Sequence, residues 1–152
     1  MVDIFKLPIL IYISKDGCGA CEMFNNEWDK IKMDLKDRAV FVRFKCTNEK
    51  KPPSCLAKYV LWFPCIVLAG PKSYFRCFTH NDKINEVDYD PNYTIKGKQF
   101  NAVESNGQIV FAGRNNNRDT VVNWFNQVHT EVMLNDELTY PKKYINFMQK
   151  IN

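Results

Sequence analysis

The first seventy residues alternate between strand-length apolar runs and a helical repeat. Residues 7–14 are apolar and rich in β-formers, and they end in a polar, glycine-containing loop, as a buried strand does. Beyond that loop, large apolar side chains recur at helical spacing with polar residues between them, which predicts an amphipathic helix packed on a sheet. The apolar positions of this helix are Phe24, Trp28, Ile31 and Leu35.

Two more strands and a second helix continue the alternation. Residues 40–44, apart from Arg43, and residues 65–69 are apolar and predict strands, and the later of the two stops at a Gly-Pro pair. Between them, Ser54 can cap a short helix over residues 55–59. Crossover helices between strands predict an α/β layer whose first strands pair in parallel.

The region of residues 71–99 has a weaker pattern. Residues 74–78 can pair as a strand, and most of the rest is polar and rich in turn-formers. We therefore expect a surface insertion with one small apolar patch, formed by Tyr74, Phe75 and Phe78. The functional alternative is a partner or substrate surface added beside the site.

The final third predicts a hairpin and two helices. The Asn-Gly pair at residues 106–107 is the preferred type I′ turn, and residues 100–104 and 108–112 flank it as strands. Asp119 can cap the next helix, and a last short helix opens at Pro141. The apolar positions of these helices are Val121, Val122, Trp124, Phe125, Val128 and Val132, and then Tyr144, Met148 and Ile151.

Length and charge exclude several classes of protein. A chain of 152 residues forms one domain, so we expect a single domain with a helical C-terminal extension at about residues 135–152. No run approaches the roughly 18 apolar residues of a membrane span, and no signal-peptide pattern surrounds the first strand. The net charge of +4 includes no dense Lys/Arg run, so we expect no nucleic-acid partner. We expect a cytoplasmic protein; the Asn- and Lys-rich usage fits an AT-rich genome, and a large DNA virus as source would make the virion the alternative location.

Six cysteines raise the question of whether any of them does chemistry. They are too few for a small protein built on disulfides. Without an export signal we expect a reducing compartment, and we therefore do not expect three structural disulfides. Cys18-Gly19-Ala20-Cys21 is a CxxC motif, which alone can bind zinc, join an iron–sulfur site or exchange disulfides. Between a strand and a helix, Cys18 lies near unpaired amides and the helix dipole, which lower the pKa of a thiol from about 8.5 towards neutrality. This setting favours redox chemistry, because a zinc site would need a second close pair.

The other candidate residues have plainer interpretations. Cys65 directly follows Pro64, and an auxiliary thiol is its functional alternative. His80 and His129 are isolated and expected at the surface. Lys15 and Asp16 flank the motif and are expected to be solvated loop charges rather than to tune Cys18. The four remaining cysteines are predicted to be small buried apolar residues: Cys46, Cys55, Cys65 and Cys77.

These features together resemble the thioredoxin family over about residues 8–128. The matching pieces are the strand before the CxxC motif, the helix after it, the Phe63-Pro64 pair that opens the third strand, and the closing hairpin and helix. The family carries a cis-proline at a similar distance beyond its second cysteine, and here Pro64 lies 43 positions beyond Cys21. The resemblance implies a thioredoxin-like α/β fold: a central mixed sheet of four to five strands flanked by helices, with an insertion before the final hairpin and an extra C-terminal helix.

The resemblance also implies roles for individual residues. Cys18 matches the exposed nucleophile that attacks a substrate disulfide, and Cys21 matches the buried thiol that resolves the mixed disulfide. Phe63, before the cis-proline Pro64, would offer backbone groups to an extended substrate. The other implied substrate-binding residues are Gly17, Gly19, Ala112 and Gly113.

Three positions depart from the family pattern and bear on rate and potential rather than on the chemistry. Gly17 replaces the tryptophan usual before the first cysteine, and Ala20 stands where the family often has proline or histidine. The buried acid of the preceding strand falls at Tyr12. A tyrosine that titrates near 10 is a poor proton acceptor at neutral pH.

The primary hypothesis is therefore a thiol–disulfide oxidoreductase that works without a cofactor or metal. Its partners would be protein disulfide substrates and an electron donor or acceptor that the sequence does not identify, with no membrane involved. The first alternative is a non-catalytic thioredoxin-fold protein that uses the groove formed by the implied substrate-binding residues, or the insertion, for partner docking. A metal-binding module is the weakest of the three.

Overall fold

Five strands and three helices form the described part of the chain. The computed structural model describes residues 6–52, 60, 62–78, 102–105, 108–111 and 116–139. In chain order the elements are β1 (Ile9–Lys15), α1 (Gly19–Asp34), β2 (Val40–Cys46), β3 (Cys65–Ala69), α2 (Pro71–Phe78), β4 (Ala102–Ser105), β5 (Gln108–Phe111) and α3 (Arg118–Thr139). The helix predicted at residues 55–59 and the helix predicted from Pro141 lie outside the described residues.

The strands form one mixed sheet in the order β2-β1-β3-β5-β4. β1 is parallel to β2, with Ile9 beside Val40, and antiparallel to β3, with Ile13 beside Cys65. β5 is antiparallel to both β3 and β4. The predicted α/β class and the parallel pairing of the first two strands are confirmed, and so is the antiparallel pairing of the two strands of the predicted hairpin; the turn at residues 106–107 lies outside the described residues.

Alternate residues of the central strands enter two separate cores. Leu10 and Tyr12 of β1 face the side that α1 and α3 cover, whereas Ile11 and Ile13 face the other side, where Tyr74 of α2 packs. This alternation follows from the period of two along a strand. Because both faces are covered, β3 and the first five residues of β1 are apolar throughout, which is why their positions could be predicted from the sequence.

The two long helices bury the residues that their repeats predicted. On α1 the buried apolar positions include Phe24, Trp28 and Ile31, and on α3 they include Trp124 and Phe125. None of the helices within the described residues is both long and apolar enough to cross a membrane.

The predicted cap of α3 is wrong. Asp119 is the second residue of the helix, and Asn117 caps it, because the Thr120 amide donates to Asn117 Oδ1 at 3.0 Å. The Asn117 amide in turn lies 3.4 Å from Thr120 Oγ1, so the cap is reciprocal. Either Asn or Asp can cap a helix, and the reciprocal contact of Asn117 with Thr120 decides the boundary here.

The predicted strand at residues 74–78 is also wrong, since these residues belong to α2. The first amides of α2 are satisfied from outside the helix: the Lys72 and Ser73 amides each donate to the Asp136 carboxylate at 3.0 Å. Asp136 lies on α3, which runs unbroken through residues 135–139. The insertion therefore starts as a helix whose first residues are buried, rather than as a surface excursion.

Candidate active site

Cys18 and Cys21 lie at disulfide distance at the start of α1. Their Cα atoms are 5.2 Å apart, within the range that a disulfide needs. Cys18 is the N-cap, with an extended backbone, and Cys21 is in the first turn. Only 3% of the Cys21 surface is exposed, whereas Cys18 is partly exposed. The two sulfurs therefore differ in access, and Cys18 is the one that a large partner can reach.

The start of the helix stabilises negative charge on Cys18. The Cys21 amide donates to Cys18 Sγ at 3.1 Å, which is the contact of an N-cap side chain with an otherwise unsatisfied amide. A thiolate in this position gains both from that hydrogen bond and from the positive end of the helix dipole. At helix N-termini in general, both effects favour the thiolate form of a cysteine.

The surroundings of Cys18 are open. Gly17 has φ +78°, a left-handed conformation that favours glycine, and it forms the turn between β1 and the helix. A Cβ added at Gly17 or at Gly19 would meet no atom within 4 Å. Ala20 is exposed as well. Small residues on both sides of Cys18 thus leave the approach to its sulfur clear.

Phe63 and Pro64 lie at the same edge of the sheet as the dithiol. β1 ends at Lys15, just before Cys18, and the antiparallel β3 begins at Cys65. The two segments meet in space, since Lys15 Nζ lies 5.8 Å from the centre of the Phe63 ring. The Phe63–Pro64 bond is cis, as the resemblance implied.

β5 runs towards this same edge. It is antiparallel to β3, with Val110 beside Val67, and it ends at Phe111. Ala112 and Gly113, which the resemblance assigned to substrate binding, follow directly but lie outside the described residues.

The side chain of Tyr12 on β1 contacts the start of α1, which packs over it. Its hydroxyl donates to the Cys21 carbonyl oxygen at 3.0 Å and lies 2.9 Å from Asn25 Oδ1. Arg43 on β2 donates to the same Asn25 oxygen at 3.0 Å. Burial raises the pKa of Tyr12 above its usual value, although the nearby Arg43 charge and a hydrogen bond with Ser14 oppose the rise. The phenol therefore stays protonated at neutral pH and acts as a hydrogen-bond donor.

Two further cysteines, Cys46 and Cys65, are buried thiols near this edge. Burial raises the pKa of Cys46, against the opposing charges of Lys15, Lys50 and Lys51. Burial also raises the pKa of Cys65 to about 12, and the neighbouring Cys46 adds to the rise. Their predicted burial is confirmed, and both are neutral thiols at neutral pH. Nothing is described of the side chains of Cys55 and Cys77.

An open groove of about 580 Å³ lies along α1 between Ala20 and Lys30. Ala20, Met23 and Lys30 line one side of it, and Asn116 and Asn117 line the other. Met23, two residues after Cys21, is 80% exposed, which is high for an apolar side chain. Within the parts of the chain that the structure describes, no three His, Cys, Asp or Glu side chains converge as metal ligands would.

Sequence reasoning missed Asn25 and Arg43. Two signals were present: Asn25 lies one helical turn after Cys21, and Arg43 is a charged residue within an apolar strand. His129, expected at the surface, is half-buried and stacks on Phe125 with ring centres 5.1 Å apart. His80 lies outside the described residues.

Comparison of the chain with protein-family models and with curated proteins finds no match in either set.

Proposed function

We propose that the chain is a thiol–disulfide oxidoreductase of thioredoxin type, in which Cys18 attacks and Cys21 resolves. The observation that carries the proposal is the position of Cys18 at the N-cap of α1, where the Cys21 amide donates to its sulfur. Two-step exchange requires an accessible thiol with a stabilised thiolate beside a second thiol at disulfide distance. Partly exposed Cys18 and buried Cys21 meet both requirements.

The order of elements around the dithiol supports a thioredoxin-like fold. β1 precedes the CxxC motif and α1 follows it, the Phe63-Pro64 pair opens β3, and the β4–β5 hairpin precedes α3. This is the order on which the family resemblance depends. The helix α2 and the residues that follow it, before β4, are the proposed insertion.

In the first step the Cys18 thiolate attacks one sulfur of a substrate disulfide. A bond forms between Cys18 Sγ and that sulfur while the substrate S–S bond breaks, and the other substrate sulfur leaves as a thiolate. The amide of Cys21 and the helix dipole stabilise the attacking thiolate before it reacts.

In the second step Cys21 resolves the mixed disulfide. Its thiol passes a proton to the thiolate just released and attacks Cys18 Sγ, and the second substrate sulfur leaves and takes a proton from water. Two electrons have then moved from the Cys18–Cys21 pair to the substrate, and a thiol donor of the glutathione or dithiol-protein class returns the pair to its reduced form. The reverse sequence oxidises a substrate dithiol.

The substrate would lie across the open edge of the sheet. Gly17 and Gly19 leave room beside Cys18, and the backbone at Phe63 and Pro64 would pair with an extended substrate segment. Ala112 and Gly113 remain part of this proposal as a third side of the substrate site, after the residues around Cys18 and the Phe63-Pro64 pair.

Replacing each cysteine by serine tests the two roles. We expect Cys18→Ser to reduce the rate at which insulin disulfides are reduced to the uncatalysed background, because the nucleophile is lost. We expect Cys21→Ser to accumulate a mixed disulfide with substrate, visible by mass spectrometry, because attack still occurs and resolution does not.

Cys46→Ala is the matched control, since it removes a buried thiol near the same edge of the sheet. It should keep the rate within about twofold of wild type. If Cys18→Ser and Cys21→Ser both reduce insulin at the wild-type rate, the proposal is wrong.

The second candidate function is partner docking without catalysis. The groove along α1 and the exposed Met23 favour it. A Cys18 thiol whose pKa stays near 8.5, together with no disulfide reduction, would support docking over exchange.

A further inference from the structure

The hydroxyl group of Tyr12 lies within hydrogen-bond distance of two acceptors, one at each end of the helical turn that carries Cys21, and they share its one proton. Tyr12 donates to the Cys21 carbonyl oxygen at 3.0 Å and lies 2.9 Å from the side-chain oxygen of Asn25. Residues 21 and 25 are one turn apart on α1, so the hydroxyl contacts the turn through its backbone at one end and through a side chain at the other.

The phenol itself is held in place by β2 and by α1. Arg43 donates to the Asn25 oxygen at 3.0 Å, and its guanidinium lies 5.0 Å from the centre of the Tyr12 ring. The Tyr12 ring also meets Phe24 edge-on at 4.9 Å and Trp28 at 5.4 Å. Because none of the Tyr12 surface is exposed, its hydroxyl has a fixed position.

A fixed first turn affects the equilibrium between disulfide and dithiol. Cys18 lies outside the helix, so the two sulfurs stay close only while the turn that carries Cys21 keeps its place against the sheet. A turn held in place presents the Cys21 sulfur to Cys18 at high effective concentration. Such preorganisation stabilises the closed disulfide relative to the open dithiol.

We infer that Tyr12 is a positioning residue, which stabilises the Cys18–Cys21 disulfide by holding the first turn of α1 against β1. The inference rests on the proposed function in taking this pair as the working dithiol. The hydroxyl contacts the Cys21 carbonyl and the Asn25 side chain, so it acts on geometry.

Tyr12→Phe tests the inference, because it removes the hydroxyl and keeps the ring. The Cys21 carbonyl keeps its helical amide and Asn25 keeps Arg43, so the variant leaves no buried acceptor without a donor. In equilibrium with glutathione, oxidation of the dithiol joins the two cysteine sulfurs while glutathione disulfide takes two electrons and leaves as two thiols. We expect the equilibrium constant for this oxidation to fall about threefold to tenfold, which raises the reduction potential by about 15–30 mV.

Tyr74→Phe is the matched control, since it removes a tyrosine hydroxyl in the core on the other face of the sheet. It should leave the equilibrium constant unchanged. Asn25→Ala should shift the constant in the same direction as Tyr12→Phe, and the double variant should shift it by less than the sum, because both changes release the same turn.

Unfolding of both redox forms separates positioning from a purely structural role. The inference requires Tyr12→Phe to destabilise the oxidised protein more than the reduced protein. Equal destabilisation of both forms, or an equilibrium constant equal to that of wild type, would overturn it. The glutathione equilibrium needs no substrate protein, so a wild-type pair that cycles but reduces no insulin would contradict the proposed function and leave this result standing.

Discussion

Among the cysteines that the structure describes, burial distinguishes Cys18 from Cys46 and Cys65. Cys18 is partly exposed at a helix start, whereas Cys46 and Cys65 lie in the core on the face of the sheet opposite α1. The thiolate is the reactive form, and burial raises the pKa of both core thiols, that of Cys65 to about 12. Closeness to the site in sequence therefore does not make Cys65 an auxiliary nucleophile at neutral pH.

Alkylation should follow this division. After mild reduction at pH 7.5, we expect iodoacetamide to modify Cys18 at least about tenfold faster than Cys46 or Cys65, since only Cys18 combines access with a stabilised thiolate. Peptide mass spectrometry over a time course measures the three rates, and the same experiment in urea should make them similar. Modification of Cys65 in the folded protein at the rate of Cys18 would contradict the burial argument.

Tyr12 shows why the motif alone does not describe the site. A neutral hydroxyl group lies where the resemblance places an acid, and its raised pKa keeps the proton on the phenol. A hydrogen-bond donor can hold the Cys21 carbonyl, which a carboxylate could not do. Tyr12, where the resemblance places an acid, thus contributes a hydrogen bond to the helix that carries Cys21.

At the scale of elements, α2 depends on a residue of α3. Asp136 is almost fully buried and accepts hydrogen bonds from the Lys72 and Ser73 amides of α2. The Lys72 side chain forms an ion pair with Glu137, in which Nζ lies 3.0 Å from Oε2. Glycine is required at position 70, because a Cβ there would overlap the Asp136 side chain. A side chain on one helix therefore sets where the other begins.

This capping contact should make stability depend on pH. Burial raises the pKa of Asp136 from 3.8 to about 7, although the Lys72 and Ser73 amides and the Lys72 charge lower it and Glu137 raises it. The folded protein therefore binds a proton that the unfolded chain releases at lower pH. The stability that Asp136 contributes is fully present below about pH 4 and is lost as the pH rises through about 7.

Asp136→Asn tests this dependence. Between pH 5 and pH 8, the free energy of unfolding of the wild type should fall relative to that of the variant, by on the order of 2 kcal/mol. Urea unfolding of both proteins across this range measures the difference, and all other titrating groups are common to the two. Parallel pH profiles would show that the carboxylate does not titrate there.

For the molecule as a whole, a feature could be predicted from the sequence when residues close to it in the chain determine it. β3 lies at the predicted residues 65–69, because a strand buried on both faces is apolar throughout. Cys18 and Cys21 were found because their spacing and their strand-to-helix setting are local. The N-terminus of α2 could not be predicted as a helix, because its cap is 64 residues away from Lys72.

The same limit applies to the candidate site. The contact of Tyr12 with Asn25 and Arg43 depends on the register of β1 against β2, in which Tyr12 lies beside Arg43, and on how α1 packs over both. Neither can be derived from the chain alone. The sheet brings the end of β1 and the start of β3 to one edge, which unites two predicted parts of the site, the CxxC motif and the Phe63-Pro64 pair.

The reduction potential of the Cys18–Cys21 pair tests the central claim most directly. It is measured by equilibrating the full chain with mixtures of reduced and oxidised glutathione or dithiothreitol and counting the thiols. A working dithiol should give one reversible two-electron transition between about −120 and −270 mV, the span of thiol–disulfide oxidoreductases. A potential below about −300 mV, as in structural disulfides, would contradict it. So would the lack of any reversible transition, or a transition that persists unchanged in Cys18→Ser.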